Sequence, residues 1–328
     1  MKKLLCAILS VLMLLSAFSF VGCGEKKEET LKFGFGVYTV VSKATNAEAD
    51  KDGQAKATIN GAAVSVDANG KIVALAMDTA DVTVKYTAEG KAVAADNFKT
   101  KYELQGDYNM KARSAIGKEW FEQADAFKSV VIGKTLDEVK TLVAEGDKGT
   151  DAVINAGCTI KINEFVAAIE NAYNNAVASN VVASNTLKIG FNTEVSTKDA
   201  TEDKNGQSKI ETTIFAAAVD AEGKIVAAKS DAVQVAITFD AKGASTYDLT
   251  KKVQTKGEMG ANYGMVAYGK AAKEWNEQAA AFDALTIGKK AADVASLMGE
   301  DNYGTADVKA AGCTILVNGF VKAAAKIG

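Results

Sequence analysis

The sequence predicts an α+β fold, built as two tandem copies of an antiparallel sheet followed by packed helices. Three observations carry this expectation. In each half, apolar and polar side chains first alternate with β-branched enrichment, and later apolar residues recur at spacings of three and four. Strands come first and helices second, an order that sets helices over or beside one sheet. Finally, one half repeats the other. Leu31-Lys32-Phe33-Gly34-Phe35 returns as Leu187-Lys188-Ile189-Gly190-Phe191, and Gly70-Lys71-Ile72-Val73 as Gly223-Lys224-Ile225-Val226. Lys118-Glu119-Trp120-Phe121-Glu122-Gln123 returns as Lys273-Glu274-Trp275-Asn276-Glu277-Gln278, and Ala156-Gly157-Cys158-Thr159-Ile160 as Ala311-Gly312-Cys313-Thr314-Ile315. The period of about 155 residues is too long for a solenoid and suits two similar domains, 31–178 and 187–328, joined by a polar stretch at 179–186.

In the first copy, residues 57–66, 71–77 and 82–87 read as strands, with Asp67-Ala68-Asn69-Gly70 as a turn. From Ser114 a helix is expected, with Ile116, Trp120, Ala124 and Phe127 on one face. Thr135 and Glu138 have the spacing of a capping box for a second helix. A last helix follows Asn163, and its twin after Asn318 is shorter.

Composition excludes much chemistry. The 328 residues contain no histidine, so histidine-based triads, general bases and metal sites cannot be built within this chain. Proline is absent too, where average usage would give roughly 16. The formal charge is −3, and −5 if Lys2 and Lys3 leave with a leader. This mild acidity argues against nucleic acid as a partner, which demands a clustered basic face.

Lys2 and Lys3 followed by the apolar run Leu4 to Phe20 read as a secretory signal over residues 1–22. The run ends in Phe20-Val21-Gly22-Cys23, which resembles the lipobox of bacterial lipoproteins. That resemblance implies lipid attachment at Cys23, residues 23–30 as a solvated tether, and a body held outside the cytoplasmic membrane by its anchor. The alternative, an uncleaved membrane anchor, leaves the body on the same side.

The tightest candidate site is Gly157-Cys158-Thr159 and its twin Gly312-Cys313-Thr314, a small-residue turn leading toward a helix N-terminus. Such a turn suits a phosphate, because glycine permits close approach and free amides favour negative charge. Together with the strand turn Asn69-Gly70-Lys71-Ile72, Asp151-Ala152-Val153 and the step from Thr159 to Asn163, these residues resemble the FMN-binding domain of RnfG and NqrC subunits and of flavinylated surface lipoproteins. The resemblance covers roughly residues 57–175 and 210–327; cysteine stands where the family motif has alanine, and alanine replaces its first serine. It implies covalent FMN as a phosphoester on Thr159 and Thr314, a lipid-anchored electron carrier more than a turnover enzyme, and a flavin transferase and redox proteins as partners. The same segment also reads as a tight turn packed by small residues, and the whole as a non-catalytic surface lipoprotein binding a ligand or cell-wall partner.

Other features have two readings each. Cys158 and Cys313 are either low-pKa redox thiols near a helix end or buried, inert side chains. Trp120, Tyr108 and Met110, with Trp275, Tyr263 and Met265, are either core or the walls of an isoalloxazine site. Glu119/Glu122 and Glu274/Glu277 read as solvated helix faces. Glu48 to Gly53 opens like a calcium loop but has Ile59 where the bidentate carboxylate belongs, so an exposed turn is expected.

Overall fold

A computed structural model describes residues 28–95 and 98–328. The expected signal peptide, Cys23 and the tether up to residue 27 lie outside the described residues. Strands β1 (Leu31–Thr45), β2 (Gly53–Val66) and β3 (Ile72–Tyr86) form an antiparallel meander flanked by short β4 (Ala92–Val93) and β5 (Val177–Val181), in the order β4-β3-β2-β1-β5. Between β4 and β5 come α1 (Lys101–Leu104), α2 (Trp120–Val131), α3 (Leu136–Lys140), α4 (Asp151–Ala156) and α5 (Asn163–Asn174). The second copy repeats this with β6 (Thr186–Lys198), β7 (Gly206–Val219) and β8 (Ile225–Phe239), then α6 (Lys256–Met259), α7 (Trp275–Thr286), α8 (Ala306–Ala311) and α9 (Asn318–Ala325). A 3₁₀ segment, Ala291–Leu297, stands where the first copy has α3. The fold is α+β, with sheets followed by packed helices.

The two sheets pack face to face and the helices cover the outer faces, giving four layers. Alternation along β1 sends Phe33, Phe35 and Val37 to the face shared with Phe191, Ile210, Val235 and Phe239 of the second sheet. The opposite faces carry Val64, Ile72 and Met77 against α2 and α5, and Phe215, Ala217 and Ile225 against α7 and α9. The second half of β2 is therefore buried on both faces and loses its alternation.

The contacts between copies are reciprocal. Ala47 N–H donates to Gly243 O and Ala200 N–H to Gly90 O, both at 2.8 Å. Ser245 N–H donates to Asn46 Oδ1 and Ala92 N–H to Asp199 Oδ1. At the ends of β3 and β8, the matched rings of Tyr86 and Phe239 stack at 4.5 Å with an interplanar angle of 9°. Such pairing is that of an isologous dimer, here made within one chain.

The repeated glycine of the opening strand has a physical cause. A Cβ on Gly34 would lie 2.0 Å from Ala172 O of α5, and one on Gly190 2.2 Å from Ala323 O of α9. Only glycine lets these helices lie directly on their strands.

Four expectations need correction. Residues 71–77 and 82–87 belong to one unbroken strand, because β3 spans the whole sheet. The helix expected from Ser114 begins at Trp120, and Ile116 is exposed, since Glu119 rather than Ser114 is the N-cap. Residues 179–181 of the expected join belong to β5, paired with β1, leaving 182–185 as the connection. Glu119 and Glu274 are buried, not solvated: each accepts two backbone N–H groups, Met110 and Lys111 in one copy, Met265 and Val266 in the other. Glu122 and Glu277 reach back to their N–H groups. The capping box Thr135–Glu138 forms as expected.

Candidate functional site

Each copy has a cleft between the outer face of its sheet and the turn that follows α4 or α8. The turn itself is a helix C-terminus before it is anything else. Gly157 and Gly312 adopt φ of 103° and 102°, the left-handed C-cap conformation that only glycine takes without strain. Cys158 N–H donates to Val153 O, and Cys313 N–H to Val308 O, closing the cap. The sequence placed this turn next to a helix N-terminus; it is instead the end of the preceding short helix, and α5 begins only at Asn163. The glycine is thus explained by the cap alone.

A positive charge lies against each cap. The amine of Lys118 sits over Gly157, and that of Lys273 over Gly312, where it donates to Ala311 O at 3.5 Å. The threonines follow. Thr159 offers both its N–H and its hydroxyl to Gln123 Oε1, at 2.9 and 3.0 Å, and Thr314 does the same with Gln278 Oε1 at 2.8 and 3.0 Å. Both glutamines are buried on α2 and α7. With its hydrogen directed at the amide, each hydroxyl keeps its lone pairs facing away.

Cys158 and Cys313 point into separate helical cores and are fully buried. Burial pushes both thiols up to about 11. Their reading as reactive, low-pKa thiols therefore has no geometric support, and the inert reading does. Maleimide added to the native chain is expected to leave both unmodified on a timescale that fully labels the urea-unfolded chain. Fast native labelling, read by peptide mass, would contradict this placement.

The aromatic candidates do converge. Tyr108, Met110 and Trp120 line the first cleft, and Tyr263, Met265 and Trp275 the second. The residue at their centre carries no motif in the sequence. Lys101, on α1, lies 5.3 Å from the ring of Tyr108 and 5.4 Å from that of Trp120. Lys256, on α6, repeats this at 5.3 and 5.4 Å from Tyr263 and Trp275.

Each lysine meets a carboxylate, but from a different strand. Lys101 lies 3.3 Å from Asp81 on β3, which also binds Lys56 at 2.7 Å; Lys256 lies 2.7 Å from Glu211 on β7. Asp81 is paired across the ladder with Thr58, and Glu211 with Gln234, so the acid has changed strands while the lysine has stayed. Burial alone would raise both carboxyls, yet the neighbouring lysines and hydrogen bonds outweigh it and hold them below the usual range. A second buried acid fixes the lysine's short helix. Asp78 accepts from Thr79 N–H and Tyr102 N–H, and Asp231 from Ala232 N–H and Gly257 N–H.

The clefts differ in size. The second encloses about 550 Å³ and includes Thr314, which is exposed, together with Asn318 and Phe320. The first encloses about 220 Å³, and Ile160 and Lys161 line it where Thr159 does not. Cofactor pockets run from roughly 300 to 1,000 Å³; the second cleft falls within that range and the first below it. Glu48 to Lys51 forms an exposed two-stranded turn, and among the described residues no group of three acidic or cysteine side chains could hold a metal ion. No described helix is long and apolar enough to cross a membrane. Comparison with protein-family profiles, with curated proteins and with solved structures finds no match to this chain, so the twin clefts themselves carry the functional reading.

Proposed function

We propose that this chain is a lipid-anchored, extracytoplasmic flavoprotein that carries electrons, with FMN held in the second cleft. The observation that carries the reading is the position of Thr314: it lines a cavity of cofactor size whose walls include Tyr263, Met265 and Trp275. An FMN there would supply one- and two-electron chemistry at its ring, while the protein supplies position and surroundings. Thr314 would hold its phosphate, and the amine of Lys273 lies against Gly312, two residues earlier in the chain. The aromatic and thioether walls suit a planar ring, with the Lys256–Glu211 pair as a charged patch among them.

Esterification of Thr314 requires its hydroxyl proton to leave. Gln278 Oε1 accepts that hydrogen in a hydrogen bond but, as an amide, is too weak a base to take it. On this reading a flavin transferase supplies the base and brings a flavin dinucleotide: the Thr314 Oγ1–P bond forms as the donor's pyrophosphate bond breaks, the hydroxyl proton goes to the transferase's base, and a nucleoside monophosphate leaves. The remaining partners on this reading are the membrane, through lipid on Cys23, and an electron donor and acceptor.

Intact-mass measurement of the full chain after co-expression with a flavin transferase tests the proposal. The expected result is a yellow protein heavier by one FMN less one water, with the adduct lost in Thr314→Ala. A mass without FMN, unchanged by the substitution, would defeat it. One observation favours the second reading, a ligand-binding lipoprotein without flavin: the Thr314 polar groups are satisfied by Gln278 and the Gly312 geometry by the helix cap, so the turn is complete without a phosphate. On that reading the co-expressed protein is colourless.

A further inference from the structure

The two clefts share lysine, tyrosine, methionine, tryptophan and phenylalanine at matched positions, so their unequal volumes need a specific cause. It lies where β2 or β7 faces the first turn of α5 or α9. In the first copy Asn60 Nδ2 donates to Glu164 Oε2 at 2.9 Å, and Asn60 Oδ1 accepts from the Thr79 hydroxyl at 2.7 Å. Asn60 is buried, and this chain of hydrogen bonds fixes the Glu164 carboxylate in the cleft lining. In the second copy Thr213 replaces Asn60 and Gly319 replaces Glu164. Gly319 has no side chain to project, and a Cβ there would lie 2.6 Å from Thr213 Oγ1.

We infer that the duplicated sites have diverged to one working site per chain: Glu164, held by Asn60, closes the first cleft, and Gly319 with Thr213 leaves the second open to a planar aromatic ligand. The ligand class rests on the flavin reading above; the open and closed states do not.

The test is a reciprocal exchange in the full chain, expressed without transferase. The variant Asn60→Thr/Glu164→Gly opens the first cleft, and Thr213→Asn/Gly319→Glu closes the second. Riboflavin 5′-phosphate titrated into the wild type is expected to saturate at one equivalent, with two for the opened variant and no binding for the closed one. Two equivalents in the wild type, or binding at a stoichiometry above zero that neither exchange moves, would overturn the inference. A second readout needs no flavin. In single-tryptophan chains made by Trp120→Phe or Trp275→Phe, acrylamide is expected to quench Trp275 more strongly than Trp120. Opening the first cleft should raise quenching of Trp120, and closing the second should lower that of Trp275. If quenching follows this order while the wild type and the opened variant bind no flavin, the flavin reading fails and the divergence stands. Equal quenching, unmoved by either exchange, sinks the divergence itself. The two exchanges lie in different copies, so a folding defect in one leaves the other to decide.

Discussion

Replacing Phe239 by alanine is expected to destabilise the whole chain by about 3–5 kcal/mol, the range for deleting a fully buried phenylalanine. Its ring stacks on Tyr86 where the two sheets meet, and both residues are completely buried. Collapse around the vacancy is hindered on one side, because the ring edge lies against the backbone of Gly206. Tyr86→Ala should be comparably costly, with the added loss of the hydrogen bond from its hydroxyl to Thr45 O at 2.8 Å. Because this contact joins the copies, both halves should lose stability together and urea unfolding should remain one transition. A midpoint change equivalent to less than about 1 kcal/mol would mean that the sheets are not held face to face by this core.

The second large effect is a pH dependence with an unusual sign. Burial pushes Asp78 and Asp231 up to about 6 and Asp283 up to about 7, against the opposing pull of their hydrogen bonds. In the unfolded chain these groups ionise near the ordinary aspartate value, so between roughly pH 4 and 7 the native state binds more protons. Stability therefore falls as pH rises through this window, by on the order of a few kcal/mol for each carboxyl. Asp231 and Asp283 feel each other's charge and should titrate as a pair. Asp81 and Glu211, held low by their lysines, act in the opposite sense and lose their contribution only at more acid pH. Thermal unfolding should thus show its highest Tm near about pH 5 and a decline toward pH 8. The triple variant Asp78→Asn/Asp231→Asn/Asp283→Asn should flatten that decline. A Tm that rises from pH 5 to 8 would contradict the placement of these carboxyls.

Much of this was legible in the sequence because it is local. The duplication, the strand-then-helix order, the Thr135 capping box and the helix after Asn163 follow from spacing alone. The aromatic set around Trp120 and Trp275 could be named because the chain's two tryptophans fall at matched positions. What could not be read depends on distant pairings. The packing of one sheet on the other is written only as alternation, which an outward solvent face would also produce. Lys101 sits on a four-residue helix, and its acid lies on β3 in one copy and β7, the counterpart of β2, in the other, so no fixed spacing links lysine to carboxylate. Gln123 and Gln278 had a visible signal, the recurring Lys-Glu-Trp-x-Glu-Gln run, but their role appears only when α2 and α7 reach the threonines. Glycine in Gly-Cys-Thr suggested a phosphate turn because a helix C-cap and an anion loop demand the same residue.

The most direct test is to map the modified peptide. After co-expression with a flavin transferase and proteolysis, the account predicts FMN on the peptide containing Thr314 and none on the peptide containing Thr159. FMN on Thr159, or on neither threonine, would contradict it.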